Sequence, residues 1–247
     1  MANLSIRPIP LLIGPMQTFK FTYMMNFQDL TSIAGYIWYI EGAEKKILID
    51  AGITADGGVK MGGPKRETPQ TMEQGLAKLG LKPEDIEIII ITHMHKDHME
   101  LAHKFKNATF IIQKSELDFA MNPHPIEEPS YFEKSFYDGL KIETVEGEKQ
   151  IVPGVTVIPT PGHSIGTQSI AVETAKGKAI VTGFCCSDMN LYPPPEVAKK
   201  MPVITLTIHH DAYDTYNNMI KVKELADIVV ALHEPKYCWV DRIPEVR

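Results

Sequence analysis

Residues 86–98 read IEIIIITHMHKDH, and this stretch determines both the expected fold and the expected chemistry. The apolar run that precedes the histidines predicts a strand buried on both faces. Four side chains that can bind a metal follow within six residues, namely His93, His95, Asp97 and His98. Imidazole and carboxylate together suit Zn²⁺, Mn²⁺ or Fe²⁺. This density of ligand types favours a metal centre over a polar loop with incidental histidines.

Two further histidines stand in similar contexts. His163 lies in the turn 160–164 (TPGHS), which leaves a predicted strand, and His233 directly follows the predicted strand 228–231. Groups that leave several strands at one edge of a sheet can converge on one site. Asp97 and His98 are adjacent and should diverge, so the cluster can supply two neighbouring ions.

The rest of the chain alternates short β-rich runs with amphipathic segments. This alternation, without repeats or low-complexity linkers, predicts one layered α/β domain over residues 1–247. Asp211 is expected to cap the long helix that follows it. The glycine pairs at 57–58 and 62–63 predict a mobile loop, since no ordered phosphate-loop pattern surrounds them. Further strands are expected at residues 32–40, 46–50, 108–113, 155–159, 168–172 and 179–182.

Composition narrows the class of protein. The net charge of −6 and scattered basic residues argue against a nucleic-acid binder. Apolar runs are far shorter than the ~20 residues of a membrane-spanning helix, so no membrane partner is expected. The N-terminus shows no secretory signal, and three cysteines make no even-numbered disulfide framework, so a cytoplasmic location is expected. The expected partners are a small-molecule substrate and, at most, a second copy in a homodimer.

These motifs carry a resemblance to a known family. The H-x-H-x-D-H cluster, the later P-G-H and the histidine after the last strand resemble the metallo-β-lactamase superfamily. The resemblance implies a four-layer αββα sandwich with a two-metal site. Residues 47–52 (ILIDAG) are similar to the family's L-x-D-x-G strand, whose aspartate supports the ligand loop. Residues 208–235 look closest to the N-acyl-homoserine-lactonase-like branch.

The resemblance also implies a ligand set. His93, His95 and His163 would bind the first ion, and Asp97, His98 and His233 would bind the second. Two divalent ions are therefore expected, with zinc first and iron or manganese as alternatives.

One family position is occupied differently. The family usually bridges its two ions with an aspartate in T-G-D, whereas residues 181–188 read VTGFCCSD and place Phe184 there. Three interpretations stay open: Cys185 substitutes as a thiolate, Asp188 reaches in, or no protein group bridges the ions. We favour Cys185, because thiolate is a strong ligand for zinc and iron. The alternative is that both cysteines are small buried apolar residues.

The branch also tends to place a tyrosine near the substrate carbonyl, three residues after the aspartate. Ser187 occupies that spacing here, and Tyr192 is the nearest tyrosine. The substrate is therefore expected to differ from the branch norm.

The expected activity is hydrolysis of an ester-like carbonyl, a lactone in the first place, by a metal-bound hydroxide. Asp97 is the expected catalytic residue, since it can orient the water and pass on its proton. No G-x-S-x-G elbow offers a serine nucleophile instead. The alternatives are a thioester, an amide or another cyclic ester as substrate, iron-based redox chemistry, and a degenerate non-catalytic member.

Other residues carry weaker expectations. His209 and His210 are expected to be structural or solvated, and His103 is not expected to be a ligand. His124 is expected on a loop near the entrance. Residues 19–27 (FKFTYMMNF) are expected in the core or as an apolar wall or lid of the site.

Overall fold

The computed structural model of the chain describes residues 3–60 and 66–245. Its strands are β1 Ser5–Gln17, β2 Leu30–Glu41, β3 Ile47–Ile49, β4 Ile88–Ile90, β5 Thr109–Gln113, β6 Lys141–Val145, β7 Lys149–Val152, β8 Val155–Pro159, β9 Gln168–Thr174, β10 Gly177–Val181 and β11 Ile228–Val230. Its α-helices are α1 Ala55–Lys60, α2 Met72–Ala77, α3 Lys96–Met99, α4 Lys114–Ala120, α5 Asp188–Leu191, α6 Pro195–Ala198 and α7 Ala212–Leu225. Short 3₁₀ helices occupy Thr18–Lys20, Pro83–Asp85, Ala102–Lys104, Glu128–Ser130, Lys134–Tyr137 and Pro235–Trp239.

The strands form two sheets. The first has the order β1-β2-β3-β4-β5-β6, and β3 to β6 pair in parallel. The second has the order β11-β10-β9-β8-β7, in which only the β10–β11 pair is parallel within the described residues. The main core lies between the sheets and includes Trp38, Ile49, Ile90, Val157, Ile170 and Val181.

Helices cover the outer face of each sheet. Apolar residues of α2, α3 and α4, such as Leu76 and Met99, pack against Ile89 and Phe110 of the first sheet. Met219 and Val222 of α7 pack against Ile180 of the second. A strand covered on both sides must be apolar throughout, which explains the isoleucine run of β4. The predicted four-layer αββα sandwich is confirmed.

The strands expected from the sequence are present, but β1, β6 and β7 were not expected. β1 carries prolines at positions 8, 10 and 15, and prolines normally argue against a strand, so this strand was not predicted from the sequence. Proline is tolerated there because β1 lies at the edge of its sheet. The expected cap is found, since the Asp211 side chain accepts a hydrogen bond from Asp214 N at 2.8 Å.

The prediction of a mobile loop at the two glycine pairs is partly wrong. Gly57 and Gly58 lie in the short helix α1, whereas the pair at 62–63 lies outside the described residues. The longest described helix has 14 residues, and none in the described part has the length and hydropathy needed to cross a bilayer.

Candidate metal centre

The H-x-H-x-D-H cluster begins at His93, three residues after β4 ends at Ile90. β4 lies between β3 and β5, so the cluster leaves the carboxyl edge of a parallel sheet and runs into α3. His93, His95 and His98 are buried, while the Asp97 side chain is 26% exposed. The loop therefore directs its imidazoles inward and leaves one carboxylate at the solvent side.

The expected distant histidines reach this loop. His163 Nε2 lies 3.1 Å from His93 Nε2, close to the roughly 3.3 Å expected between two nitrogen ligands of one tetrahedral zinc ion. His233 Nε2 lies 3.7 Å from Asp97 Oδ2. Two groups of potential ligand atoms lie within 4.8 Å of one another: His93, His95 and His163, and His93, Asp97 and His98. The structure thus brings all six expected residues together, and their roles as ligands stay a prediction.

The histidine rings are oriented through their other nitrogen. Nδ1–H of His163 donates to Ile208 O at 2.7 Å, and that of His233 donates to Ala34 O at 2.9 Å. His98 Nδ1–H donates to Asp50 Oδ2 at 2.7 Å. Such bonds fix the tautomer and direct Nε2 at the metal in histidine-ligated sites.

His163 is positioned by a close contact between its turn and α7. Gly162 has φ +130°, and a Cβ there would lie 2.2 Å from Thr215 N. His210 N donates to Gly162 O at 2.7 Å, which ties the turn to the start of α7. Only glycine permits this approach, so the P-G-H motif has a steric basis.

Asp50 connects the two strands beneath the cluster. Its Oδ1 accepts from Thr92 N at 2.7 Å, and its Oδ2 accepts from Thr92 Oγ1 at 2.9 Å and from His98. The residue is fully buried and has φ +61°, a strained conformation for a non-glycine residue. The expected support of the ligand loop by this aspartate is therefore found.

Glu116 of α4 gives a second support, which sequence reasoning missed. It is fully buried, and its carboxylate accepts from Met94 N at 2.8 Å, Gly166 N at 2.9 Å and Ser164 Oγ at 2.6 Å. One side chain thus joins the backbone between the first two histidines to the turn that carries His163. A single glutamate on a short helix carries no feature in the sequence that predicts this role.

Electrostatics favour the ligand-competent form at His95, His233 and Asp97. Burial lowers the pKa of His95 and of His233 to about 4, so both rings are neutral at pH 7. Burial alone raises the pKa of Asp97, but His98 and His233 outweigh it and hold that pKa well below its usual range. Neutral imidazole and ionised carboxylate are the forms that bind metals. At His98 burial lowers the pKa, but Asp97 and Asp50 outweigh it and raise that pKa to about 10, so a metal must displace the proton of this ring.

Two imidazole nitrogens of the cluster are among the buried side-chain nitrogens of the described part that lack a hydrogen-bond partner within the protein. They are the Nε2 atoms of His98 and His233, both of which face Asp97. Buried polar atoms without a partner are costly and rare. A divalent cation satisfies such atoms directly, so this donor set fits the metal pair that the sequence predicted.

The residues considered as a bridge between the two ions lie in the segment after β10, and the structure shows where each side chain is placed. Phe184 and Cys186 are fully buried in the core outside the second sheet. Asp188 forms an ion pair with Lys236 and does not line the cavity at the cluster. Cys185 does line that cavity, although neither three-residue group above includes it. Cys185 as a ligand stays a prediction.

The remaining histidines lie apart from the cluster. His209 Nδ1 donates to Leu206 O at 2.7 Å, and His210 Nδ1 contacts Glu127 Oε1 at 2.7 Å. His103 contacts Phe136 O, and the exposed His124 accepts from Ile126 N. All four thus have hydrogen-bond partners away from the cluster, in agreement with the structural or solvated role expected of His209 and His210. His124 does not line the cavity at the cluster.

A cavity of about 260 Å³ opens onto the cluster. Its walls include Phe21, Leu12 and Ile208, so part of the segment 19–27 forms the expected apolar wall. Met24 and Phe27 of the same segment are instead exposed. Tyr192 is exposed, and no tyrosine lines this cavity among the described residues.

Comparison with known proteins gives a family match over most of the chain. The model of the metallo-beta-lactamase superfamily matches residues 31–225. The N-acyl homoserine lactonase of Bacillus cereus is 29% identical over 167 residues, which are 62% of this chain and 64% of the relative. The N-acyl homoserine lactonase AttM of Rhizobium radiobacter is 31% identical over 125 residues, 48% of each chain. The matched part thus spans less than two thirds of the length of these relatives.

Solved structures share the fold over nearly the full length. A variant of AiiA from B. thuringiensis, with N-decanoyl-L-homoserine bound at its active site, superposes with a TM-score of 0.76 at 22% identity. The alignment covers 96% of this chain and 95% of that one. AidC, a dizinc quorum-quenching lactonase, gives a TM-score of 0.71 at 19% identity and covers 98% of this chain and 90% of its own.

Proposed function

This chain belongs to the metallo-beta-lactamase superfamily, and we propose that it is a metal-dependent hydrolase that opens a lactone. The observation that carries the proposal is the convergence of five buried or nearly buried imidazoles and Asp97, with two Nε2 atoms left without a protein partner. The similar proteins are named N-acyl homoserine lactonases, and the AiiA structure shares the fold over nearly the full length of this chain. Both observations support a lactone as the substrate class.

In this proposal His93, His95 and His163 hold one divalent ion, and Asp97, His98 and His233 hold the other. Zinc is the first choice, because histidine nitrogen and carboxylate oxygen are its usual ligands in hydrolases. When bound, the ions supply Lewis acidity toward a carbonyl oxygen and acidify water near neutral pH. Cys185 is the proposed seventh ligand in place of the missing family aspartate.

The protein's own groups position the reactants. The lowered pKa of Asp97 keeps it ionised at neutral pH, so its carboxylate accepts a hydrogen bond from the attacking water and orients it. We assign Asp97 the transfer of the water proton to the leaving oxygen, which remains attached to the product after ring opening. Leu12, Phe21 and Ile208 exclude bulk water from one side of the cavity.

The test combines elemental analysis with a substrate panel. We expect two equivalents of metal per chain and turnover of lactones in the panel of lactones and thioesters. Removal of metal with a chelator should abolish turnover, and zinc should restore it. Metal content near zero after gentle purification, or full turnover after complete chelation, would contradict the proposal.

A thioester is the second candidate substrate. It is favoured by the replacement of the family aspartate by Phe184, whose side chain lies in the core, and by the lack of a tyrosine among the described residues that line the cavity. The same panel separates the two, since a thioesterase would turn over acyl thioesters faster than lactones.

Organisation and location stay predictions from the sequence. We propose a single domain over residues 1–247, a cytoplasmic protein with reduced cysteines, no nucleic-acid or membrane partner, and at most a homodimer. Cys185, Cys186 and Cys238 are free thiols, which supports a reducing compartment. Light scattering of the purified protein tests the homodimer.

A further inference from the structure

The cavity at the cluster carries two cationic side chains on its wall. Arg66 and Lys20 both line it, together with Asp97, Cys185 and three of the histidines. Among the described residues that line this cavity, Asp97 is the only carboxylate. The cavity is therefore positive in a chain whose net charge is −6.

Arg66 has no acidic partner in the described part of the protein. Its Nε is buried without a hydrogen-bond partner, and no described carboxylate lies within ion-pair distance of its guanidinium. Its Nη2 contacts Met16 Sδ at 3.7 Å, and thioether sulfur is a weak acceptor. A half-buried guanidinium in such surroundings lacks most of the acceptors that its five N–H groups require.

The arginine side chain is held in place by its neighbours. A Cβ at Gly14 would lie 2.8 Å from Arg66 Cγ, and one at Gly58 would lie 2.9 Å from Nη1. The side chain therefore runs through a slot that two glycines leave open. A cation fixed in this manner loses little conformational freedom when it binds a ligand.

The charge balance points to the missing partner. In the proposed function two divalent ions carry four positive charges, against which the ligand set offers one carboxylate, Asp97, and one thiolate, Cys185. Phe184 removes the carboxylate that the family resemblance predicted, and Arg66 and Lys20 add two cations. Such a concentration of positive charge favours anionic ligands and disfavours cationic ones.

We propose that Arg66 and Lys20 form a subsite for a carboxylate on the substrate, separate from the carbonyl that is hydrolysed. The substrate class is a lactone, or another ester, that carries a free carboxylate. The planar guanidinium matches a carboxylate through two parallel hydrogen bonds, and Lys20 adds a point charge. The inference rests on the proposed function, because the hydrolysed carbonyl is the one at the metal centre.

The first experiment uses a matched pair of substrates. One is a γ-lactone with a short side chain ending in a carboxylate, and the other is its primary amide. We expect a KM at least about tenfold lower for the acid, as a charge-assisted hydrogen bond provides. Arg66→Gln should raise the KM for the acid by about tenfold or more and leave kcat, metal content and the KM for the amide nearly unchanged.

Two variants serve as comparisons. Lys20→Gln should act in the same direction with a smaller effect, because ammonium offers no bidentate geometry. Arg242→Gln is the control, since this half-buried arginine pairs with Glu41 and does not line the cavity. It should leave the acid-to-amide ratio unchanged.

A binding measurement separates the two proposals. The ring-opened acid and amide products are titrated into the metal-loaded protein by calorimetry, and the acid should bind at least about tenfold more tightly in the wild type but not in Arg66→Gln. Equal preference for acid and amide in both measurements would overturn the subsite and leave the hydrolase proposal intact. If neither lactone is turned over, the hydrolase proposal fails, and the calorimetric ratio still decides the subsite.

Discussion

Two segments leave strand ends at the same cavity and differ in their support. Residues 93–98 follow β4 of the first sheet, and residues 182–188 follow β10 of the second. In the first segment buried carboxylates hold the loop, and the imidazoles point inward. In the second segment Phe184 and Cys186 turn into an apolar core, and Cys185 alone reaches the cavity.

The difference shows that a strand end places a residue near a site but does not aim its side chain. The aim comes from buried acceptors, namely Asp50 beneath His98 and Glu116 between Met94 and Ser164. The 182–188 segment has a different kind of support. Thr182 Oγ1 accepts from Leu232 N at 3.1 Å, and Gly183 N donates to Ser169 Oγ at 3.0 Å. A carboxylate holds only the far end of this segment, where Asp188 N donates to Glu234 Oε2 at 2.8 Å, and Asp188 does not line the cavity.

The largest expected effect comes from removing ligands on the first segment and its partner turn. His95→Ala combined with His163→Ala should lower bound metal by one equivalent or more. Lactone turnover should fall by more than roughly 100-fold. That is the upper end of the loss seen when a residue that only supports a metal ligand is replaced, and here the ligands themselves are removed. Elemental analysis and steady-state kinetics measure both. His124→Ala, an exposed histidine, is the control, and normal turnover in the double variant without metal would exclude the scheme.

An intermediate effect is expected from replacing Glu116, which supports the two ligand loops. Glu116→Gln replaces one acceptor oxygen by an amide donor that faces either Met94 N or the donors Ser164 and Gly166. We expect metal affinity to fall by about 10- to 100-fold, as for other residues that orient metal ligands. Competition with a chromogenic chelator measures the affinity.

Asp118→Asn on the same helix is the matched control for this variant, since Asp118 is exposed and, among the described residues, pairs only with Lys114. A lower melting temperature of Glu116→Gln with unchanged metal affinity would assign Glu116 a purely structural role. Rescue by Glu116→Asp, even in part, would support the positioning role.

The smallest effect is expected from a substitution in the second segment, residues 182–188. Cys185→Ala should weaken the binding of one of the two ions by about tenfold, since the proposed thiolate adds to three ligands already present. Cobalt substitution gives a direct readout, because thiolate ligation produces a near-ultraviolet charge-transfer band. Cys238→Ala should keep that band, as Cys238 contacts Tyr36 and lies outside the cavity. Equal spectra for wild type and Cys185→Ala would show that Cys185 does not bind the metal.

Much of the site was predictable because its residues are close in sequence or follow clear strand signals. His93, His95, Asp97 and His98 lie within one loop, and His163 and His233 each follow a strand pattern. Asp50 was predictable through its family motif. Glu116 was not, since its role depends on the packing of α4 beneath two loops that are distant in sequence. β1 was missed because edge strands accept prolines that normally exclude a strand.

From the amino-acid sequence one can read the ligand types, the alternation of strands and helices, and the replacement of a family aspartate by Phe184. Those features depend on residue identity and on the local period of apolar side chains. The tertiary structure alone decided which side chains share the cavity: Cys185 rather than Asp188, Arg66 without an acidic partner among the described residues, and Glu116 between two ligand loops. Such relations depend on how two sheets and their helices pack, and packing joins residues whose separation in sequence carries no pattern.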